Sequence, residues 1–381
     1  MRKLLVYGTV STLALTAAAA AEVPSVAVDI PPVHSLVATV MEGVGTPDLI
    51  LQPGASPHGY SLRPSDAQAL QNADIVFWVS ESLTPFLTGP INALTENAEA
   101  IELIETEGTT RLAFREGATF EAHDHGDEDH HDEDAHEDHA HEDEGHEEHD
   151  AHSEHADHED HDDHAHHDEH ADHEDHEDHD DHEEHDAHAE HAGHEDHADH
   201  AEHAGHDHEH DGLDPHAWLD PQNARIWLDV IATHLAELDP EHADIYAANA
   251  AAAKSDLSDL IHDIDHDLDG FRGTSFIVFH DAYQYFEHRF DLSATGSISF
   301  GDASDPSPAR IAEIRDKVTE LDVTCAFSEP QFNPGLIETV FQGTHAEIGV
   351  LDPLGADLEP GPDLYPQLLR NLTDHLTSCL E

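Results

Sequence analysis

Short apolar runs alternate with amphipathic stretches in two blocks of the chain, and the segment between the blocks has almost no apolar mass. In the first block Val23–Val28 and Ile75–Val79 are brief runs rich in β-branched and aromatic side chains, the pattern of buried strands, and Thr46–Leu51 is a third candidate. Pro32–Met41 and Ser65–Asn72 lie between them and predict helices. The second block repeats the alternation, with strands predicted at Ser275–Phe279, Leu292–Ser297, Val323–Ser328 and Glu347–Leu351. Its predicted helices are Pro308–Glu320, Gly335–Gln342 and Tyr365–Ser378. Ahead of this block Asp239-Pro240 precedes Glu241–Leu268, a stretch rich in alanine and leucine and free of glycine and proline. It predicts one helix of about 28 residues, roughly 40 Å long at 1.5 Å per residue. Alternation of this kind predicts an α/β protein: two α/β lobes with largely parallel sheets, joined by a long helix.

The expected organisation follows. Residues 22–118 begin the N-terminal lobe, 119–212 are an insertion in it, and 213–239 complete it. Residues 240–269 form the linking helix and 270–381 the C-terminal lobe. After Phe120 the insertion carries hardly any apolar side chain larger than alanine, so it cannot offset the entropy of ordering and is expected to be disordered. The first 21 residues have a basic start, an apolar core and Ala19-Ala20-Ala21 before Glu22, the form of a cleaved signal peptide. Export with cleavage is therefore expected. In an exported chain the cysteine pair, Cys325 and Cys379, reads as a disulfide.

Charge sharpens the picture. The chain carries a formal −73, and residues 121–210 hold 41 Asp and Glu, no Lys or Arg, and 31 of the 42 histidines. The remainder still carries −32, a surface that attracts cations and excludes nucleic acid as a partner. The histidine–acid run from His123 to His210 is the obvious place for a metal. Four other residues compete with it, because they stand just beyond predicted strands, where α/β proteins bind ligands. His58 lies in the loop Gln52–Tyr60, His216 in Asp214–Pro221, His280 after Phe276–Phe279, and Asp352 after the last apolar strand. Neutral imidazole suits borderline cations such as Zn²⁺, and three histidines with a carboxylate or a water complete a tetrahedral site. Beside them, Tyr60 and Trp218 are candidates to wall the site. Asp281 and Glu329 are candidates to accept from the histidine rings.

The same segments resemble the zinc-specific substrate-binding receptors of ABC importers, the ZnuA-like members of the metal-binding solute-receptor family. The resemblance is carried, in order, by Gly54–Asp66, Asp214–Pro221, Phe279–Phe286, Ser328–Phe332 and Leu351–Gly355. It implies a rigid linking helix and a metal held between the lobes by His58, His216 and His280. A third histidine, where manganese-binding relatives carry a carboxylate, favours zinc. Some zinc receptors have a glutamate before the first histidine; here it is Pro57, which leaves the fourth position to Asp352 or a water. The Cys325–Cys379 pairing also fits the family, and the insertion resembles the charged loop of many zinc receptors. The function implied is zinc capture and delivery to an ABC-importer membrane permease, by a protein expected to be a monomer, with the run gathering or buffering zinc. Two other readings compete: a passive zinc buffer in which the run is the main site, and a zinc hydrolase. Neither a His-Glu-x-x-His motif nor a Gly-x-Ser-x-Gly elbow supports the hydrolase.

Overall fold

A computed structural model describes residues 23–94, 98–115, 120, 212–299, 307–321 and 323–381. The expected signal peptide and the His123–His210 run lie outside the described residues. In chain order the first block contains β1 (Val26–Val28), α1 (Pro31–Val40), β2 (Asp48–Leu49), α2 (Pro64–Asn72), β3 (Ile75–Trp78), α3 (Pro85–Leu94) and β4 (Glu99–Glu102). After the insertion come α4 (Pro221–Leu238) and α5 (Ala243–Leu268). The second block contains β5 (Phe276–His280), α6 (Gln284–Phe290), β6 (Gly296–Ser299), α7 (Pro308–Glu320), β7 (Cys325–Ser328), α8 (Pro334–Phe341), β8 (Glu347–Val350) and α9 (Leu364–Leu380). The first sheet has the order β2-β1-β3-β4, the second β6-β5-β7-β8, and all strand pairings within both are parallel. Among the described residues no helix is long and apolar enough to cross a membrane.

Period-two alternation along the strands decides which core each side chain joins. Val26, Val28, Ile75 and Phe77 of the first sheet share a cluster with Phe276, Val278, Cys325 and Phe327 of the second. Their neighbours face the other way. Ala27, Val76 and Trp78 join a small cluster with Leu87 and Ile91, and Ile277, Phe279 and Ala326 join one with Ile314 and Val340. The strands are thus buried on both faces, as parallel sheets require. The shared cluster also takes in the apolar seam of α5, Tyr246, Ala250, Leu257, Leu260, Ile264 and Leu268, spaced three, four or seven residues apart. The expected linking helix therefore exists, at 26 residues, and packs against α1, α4 and α9 as one wall of a core common to both sheets.

Two of the longer departures from the sequence reading have clear causes. Helix α4, 18 residues long, was not anticipated. Asp220 caps it by accepting from the Gln222 N–H at 2.8 Å, and Pro221 occupies its first turn. Trp227, Leu228, Ile231 and Leu235 form its buried stripe. Helix α6 is only seven residues and too short to show a period.

A buried polar seam joins the foot of the insertion to the second sheet's elements. The Leu112 N–H donates to the Tyr285 hydroxyl at 3.0 Å, and that hydroxyl donates to the Asp214 carbonyl at 2.8 Å. Ala113 and Leu213 form an antiparallel bridge, so both ends of the insertion are gathered at this point. Next to it the Arg115 guanidinium, over the Phe120 ring at 3.8 Å, bonds the carboxylates of Asp281 and Glu287. All three side chains are under 10 % exposed. Burial raises the Asp281 carboxyl to about 6 against the opposing pull of Arg115.

Cys325 of β7 and Cys379 of α9 form a disulfide with a Cα–Cα distance of 5.9 Å. Helix α9 also belongs to the first block through α1: the Tyr365 N–H donates to Ser35 Oγ at 3.0 Å, and Ser35 Oγ donates to the Pro362 carbonyl at 2.9 Å. Opening the disulfide frees a helix that serves both halves. Replacing Cys379 with alanine is expected to destabilise the oxidised protein by about 2–4 kcal/mol, measured by denaturant titration, with no difference once reductant is present. Replacing Arg115 with methionine strands two buried carboxylates and is expected to cost about 3–5 kcal/mol at neutral pH. Stranded acids have raised folded-state pKa values, so their penalty grows as pH rises through those values. Thermal melts of the Arg115 variant should approach wild type in mild acid.

Candidate metal centre

The three histidines arrive from three different local structures. His58 sits in a short 3-10 turn, Pro57–Gly59, whose first N–H groups are capped by Ser56 Oγ accepting from the His58 N–H. Gly54, at φ +81°, makes the preceding bend that a Cβ would strain. Downstream, Tyr60 donates its hydroxyl to Asp66 at 2.8 Å, and Asp66 accepts from the Arg63 N–H at 2.9 Å, fixing the loop to the start of α2. His216 precedes the 3-10 turn Ala217–Leu219. His280 is the last residue of β5, the strand beside the point where the second sheet's order reverses.

The side chains converge. Each offers a nitrogen, and the three lie within 4.8 Å of one another, the one such group among the described residues. Ring centroids are 5.1 Å apart for His216 and His280, and 5.5 and 5.7 Å from His58 to each. His216 and His280 are buried, at 2 % and 3 % exposure, while His58 is partly buried. The cavity among them has a volume near 10 Å³, about one water-sized sphere. Trp218, Gln331 and Phe332 contribute to its wall.

Two carboxylates fix how the rings present themselves. His216 Nδ1 lies 2.7 Å from Asp214 Oδ1, and His280 Nδ1 lies 2.6 Å from Glu329 Oε1, the residue directly after β7. A carboxylate only accepts, so each Nδ1 carries a proton and Nε2 is the nitrogen each ring leaves to face a metal. Those two Nε2 atoms face each other at 3.3 Å. Two lone pairs at that distance repel unless a cation or a proton lies between them. Nitrogens each about 2.0–2.1 Å from one tetrahedral Zn²⁺ stand about 3.3–3.4 Å apart, so the pair already has the spacing of two ligands. Burial, and then the neighbouring imidazoles, hold His58 well below the usual histidine range; burial and His280 do the same to His216. For His280 burial pulls down, but the charge and hydrogen bond of Glu329 prevail and raise it. A metal needs the rings neutral, which suits His58 and His216, whereas at His280 it must displace the proton that Glu329 favours.

The remaining sequence candidates are placed as follows. Trp218 packs at 5.3 Å from His216 and donates its Nε1–H to the Pro353 carbonyl at 2.8 Å, walling the cavity. Glu329 accepts from His280 as described. Tyr60 holds the His58 loop rather than lining the cavity. Asp281 was a candidate acceptor for a histidine, and the structure gives its carboxylate to Arg115 instead. Asp214 takes the role envisaged for it, a residue the sequence reading passed over inside a quoted string. Asp352 is not brought to the cluster. Its Oδ1 accepts the N–H groups of Leu354 and Gly355 at 3.0 Å each, its Oδ2 that of Ala356, and Gln331 Nε2 donates to Oδ1 at 2.9 Å. The carboxylate is spent on the turn after β8.

Comparison with known proteins identifies the family and the fold. The sequence profile of the family described as "Zinc-uptake complex component A periplasmic" matches residues 26–379. The "High-affinity zinc uptake system protein ZnuA" of Brucella abortus (strain 2308) is 46% identical over 361 residues, covering 95% of this chain and 93% of its own. The protein of the same description from Paracoccus denitrificans (strain Pd 1222) is 41% identical, with the same coverages. Among solved structures, one titled "Crystal structure of ZnuA" superposes with a TM-score of 0.63 at 19% identity, over 94% of this chain and 100% of that one. The periplasmic zinc binding protein TroA from Treponema pallidum gives 0.64 at 14% identity, over 94% and 99%. The fold is theirs, the relatives are binding proteins of zinc-uptake systems rather than enzymes, and the chain belongs to the family of periplasmic zinc-uptake components.

Proposed function

We propose that the chain is a high-affinity receptor that captures Zn²⁺ in the periplasm on His58, His216 and His280 and delivers it to the permease of an ABC importer. The observation that carries this reading is the pair of Nε2 atoms at 3.3 Å, each turned toward the other by a carboxylate on the far side of its ring. Three imidazoles favour zinc over manganese, which prefers oxygen ligands. The relatives described as zinc-uptake proteins support zinc as the cargo and a permease as the partner. The fourth position falls to solvent in this proposal, since Asp352 is committed elsewhere. The run from His123 to His210 acts as an accessory that gathers or buffers zinc, its end only six residues upstream of His216.

The passive-buffer reading draws on the 31 histidines of the run and differs in one measurable respect. With residues 121–210 removed, chelator-competition titration should still find one tight zinc per chain. Alanine at His216 or His280 should abolish that tight binding. If tight binding disappears with the run and is indifferent to the three histidines, the chain is a buffer.

Proton competition gives a second check. His280 is raised by Glu329, so its proton opposes metal binding already above the ordinary histidine range, and zinc affinity should fall as pH drops through that titration. With Glu329→Gln the ring loses its anionic partner, and the fall should move to lower pH. At the alkaline end of the range, where the proton competes least, the variant should bind about ten- to a hundredfold more weakly. Affinity measured between pH 5.5 and 8 reads both effects.

A further inference from the structure

Gln331 stands in the wall of the cavity that the three histidines enclose. Its amide nitrogen donates to Asp352 Oδ1 at 2.9 Å. A carboxylate cannot donate, so this contact fixes the amide's orientation, with nitrogen toward Asp352 and oxygen away from it. The turn holds Asp352 in turn through the N–H groups of residues 354, 355 and 356. Gln331 is therefore anchored to backbone through a carboxylate that cannot easily swing. Its oxygen is different. Oε1 is buried and meets no donor among the described residues. A fixed acceptor without a donor, at the edge of a metal-sized cavity, marks a missing donor.

The three-histidine site supplies one. Three neutral imidazoles leave a tetrahedral dication one open position, and a water there is a stronger donor than bulk water because the ion polarises its O–H bonds. We propose that Gln331 Oε1 accepts a hydrogen bond from the solvent molecule that completes the coordination of the cargo ion, which makes Gln331 a positioning residue of the site. The proposal rests on the receptor reading above. It also gives Asp352 a role without a bond to the metal: its carboxylate aims the amide. Glu329 Oε2 and the Tyr283 hydroxyl are unpartnered as well. They are an acceptor and a donor that already influence one another electrostatically, so neither calls for an outside partner. Gln331 Oε1 does.

The test uses the full mature chain with chelator competition, which isolates the tightest zinc site from weaker ones, and one equivalent of Co²⁺ as a spectroscopic probe. Gln331→Met keeps the shape and removes both polar atoms, Gln331→Asn withdraws them by one methylene, and Gln331→Glu keeps an acceptor while losing the donor to Asp352. Zinc affinity is expected to fall ten- to a hundredfold in the Met and Asn variants and to stay within about threefold of wild type in the Glu variant. The cobalt d–d bands should shift in the first two and remain in place in the third, with metal-free melting temperatures alike throughout. Wild-type affinity in the Met and Asn variants overturns the proposal. So does an equal loss in all three, which would trace the effect to the Asp352 turn. Failure of the underlying reading looks different: His216→Ala would then bind zinc as tightly as wild type.

Discussion

Two buried ring nitrogens, Nε2 of His216 and Nε2 of His280, face each other across 3.3 Å, and much of the surrounding structure is arranged to hold them there. Left alone, the rings would rotate or take up a proton. Asp214 and Glu329 prevent rotation by fastening the opposite nitrogen of each ring, and they do so from positions that other elements fix. Glu329 follows β7, whose register with β5 places it beside His280. Asp214 is held by its own backbone, its N–H on the Leu112 carbonyl and its carbonyl on the Tyr285 hydroxyl. The spacing of two metal ligands is thus built into the site, and a small dication can take the place of a proton between them. Pre-organisation of this kind lets a binding site gain affinity without new contacts, because the ordering is already done.

The seam around Tyr285 and Arg115 does the corresponding work at longer range. It ties the strands that flank the insertion to α6 and to Asp281, the neighbour of His280. Arg289 adds a bidentate bond to Asp220, the cap of α4, at 2.7 and 2.8 Å. Ligands from the two halves are therefore related through buried, charge-assisted hydrogen bonds as well as through the shared apolar core. Such bonds are directional, and they favour one arrangement of the halves over others that would bury the same area.

Much of this was legible in the residues. Short β-branched runs gave most of the strands, and His58 and His280 stood out because each lies just beyond one, with His216 in the string Asp214–Pro221. What the sequence hid was direction. Asp281 adjoins His280 and was the natural acceptor for it, but consecutive residues leaving a strand point to opposite sides, and Asp281 faces Arg115. Asp214, two residues from His216, shares its side and reaches the ring. Asp352 looked like a ligand from its place after an apolar strand. Backbone N–H groups of a tight turn claim it first, a demand that appears only once the chain path is known. Helix α4 escaped because the Asp-Pro that begins it also ends the string containing His216, and the string drew the reading toward the metal.

Helix α9 leaves the chain with a problem of timing. Its contacts with α1 span 327 and 330 residues of sequence, through Ser35 with Pro362 and Tyr365. Val33, Leu36 and Val37 of α1 belong to the core that α9 helps close. A ribosome adding about 5–20 residues per second needs roughly 17–70 s to travel from the first helix to the last. Throughout that interval the apolar face of α1 lacks one of its permanent neighbours. Contacts of such long range form late in folding, so a newly made chain presents this face to whatever else is nearby before it can present it to itself. The contacts that close the finished core therefore leave an apolar face of the unfinished chain uncovered until helix α9 has been made.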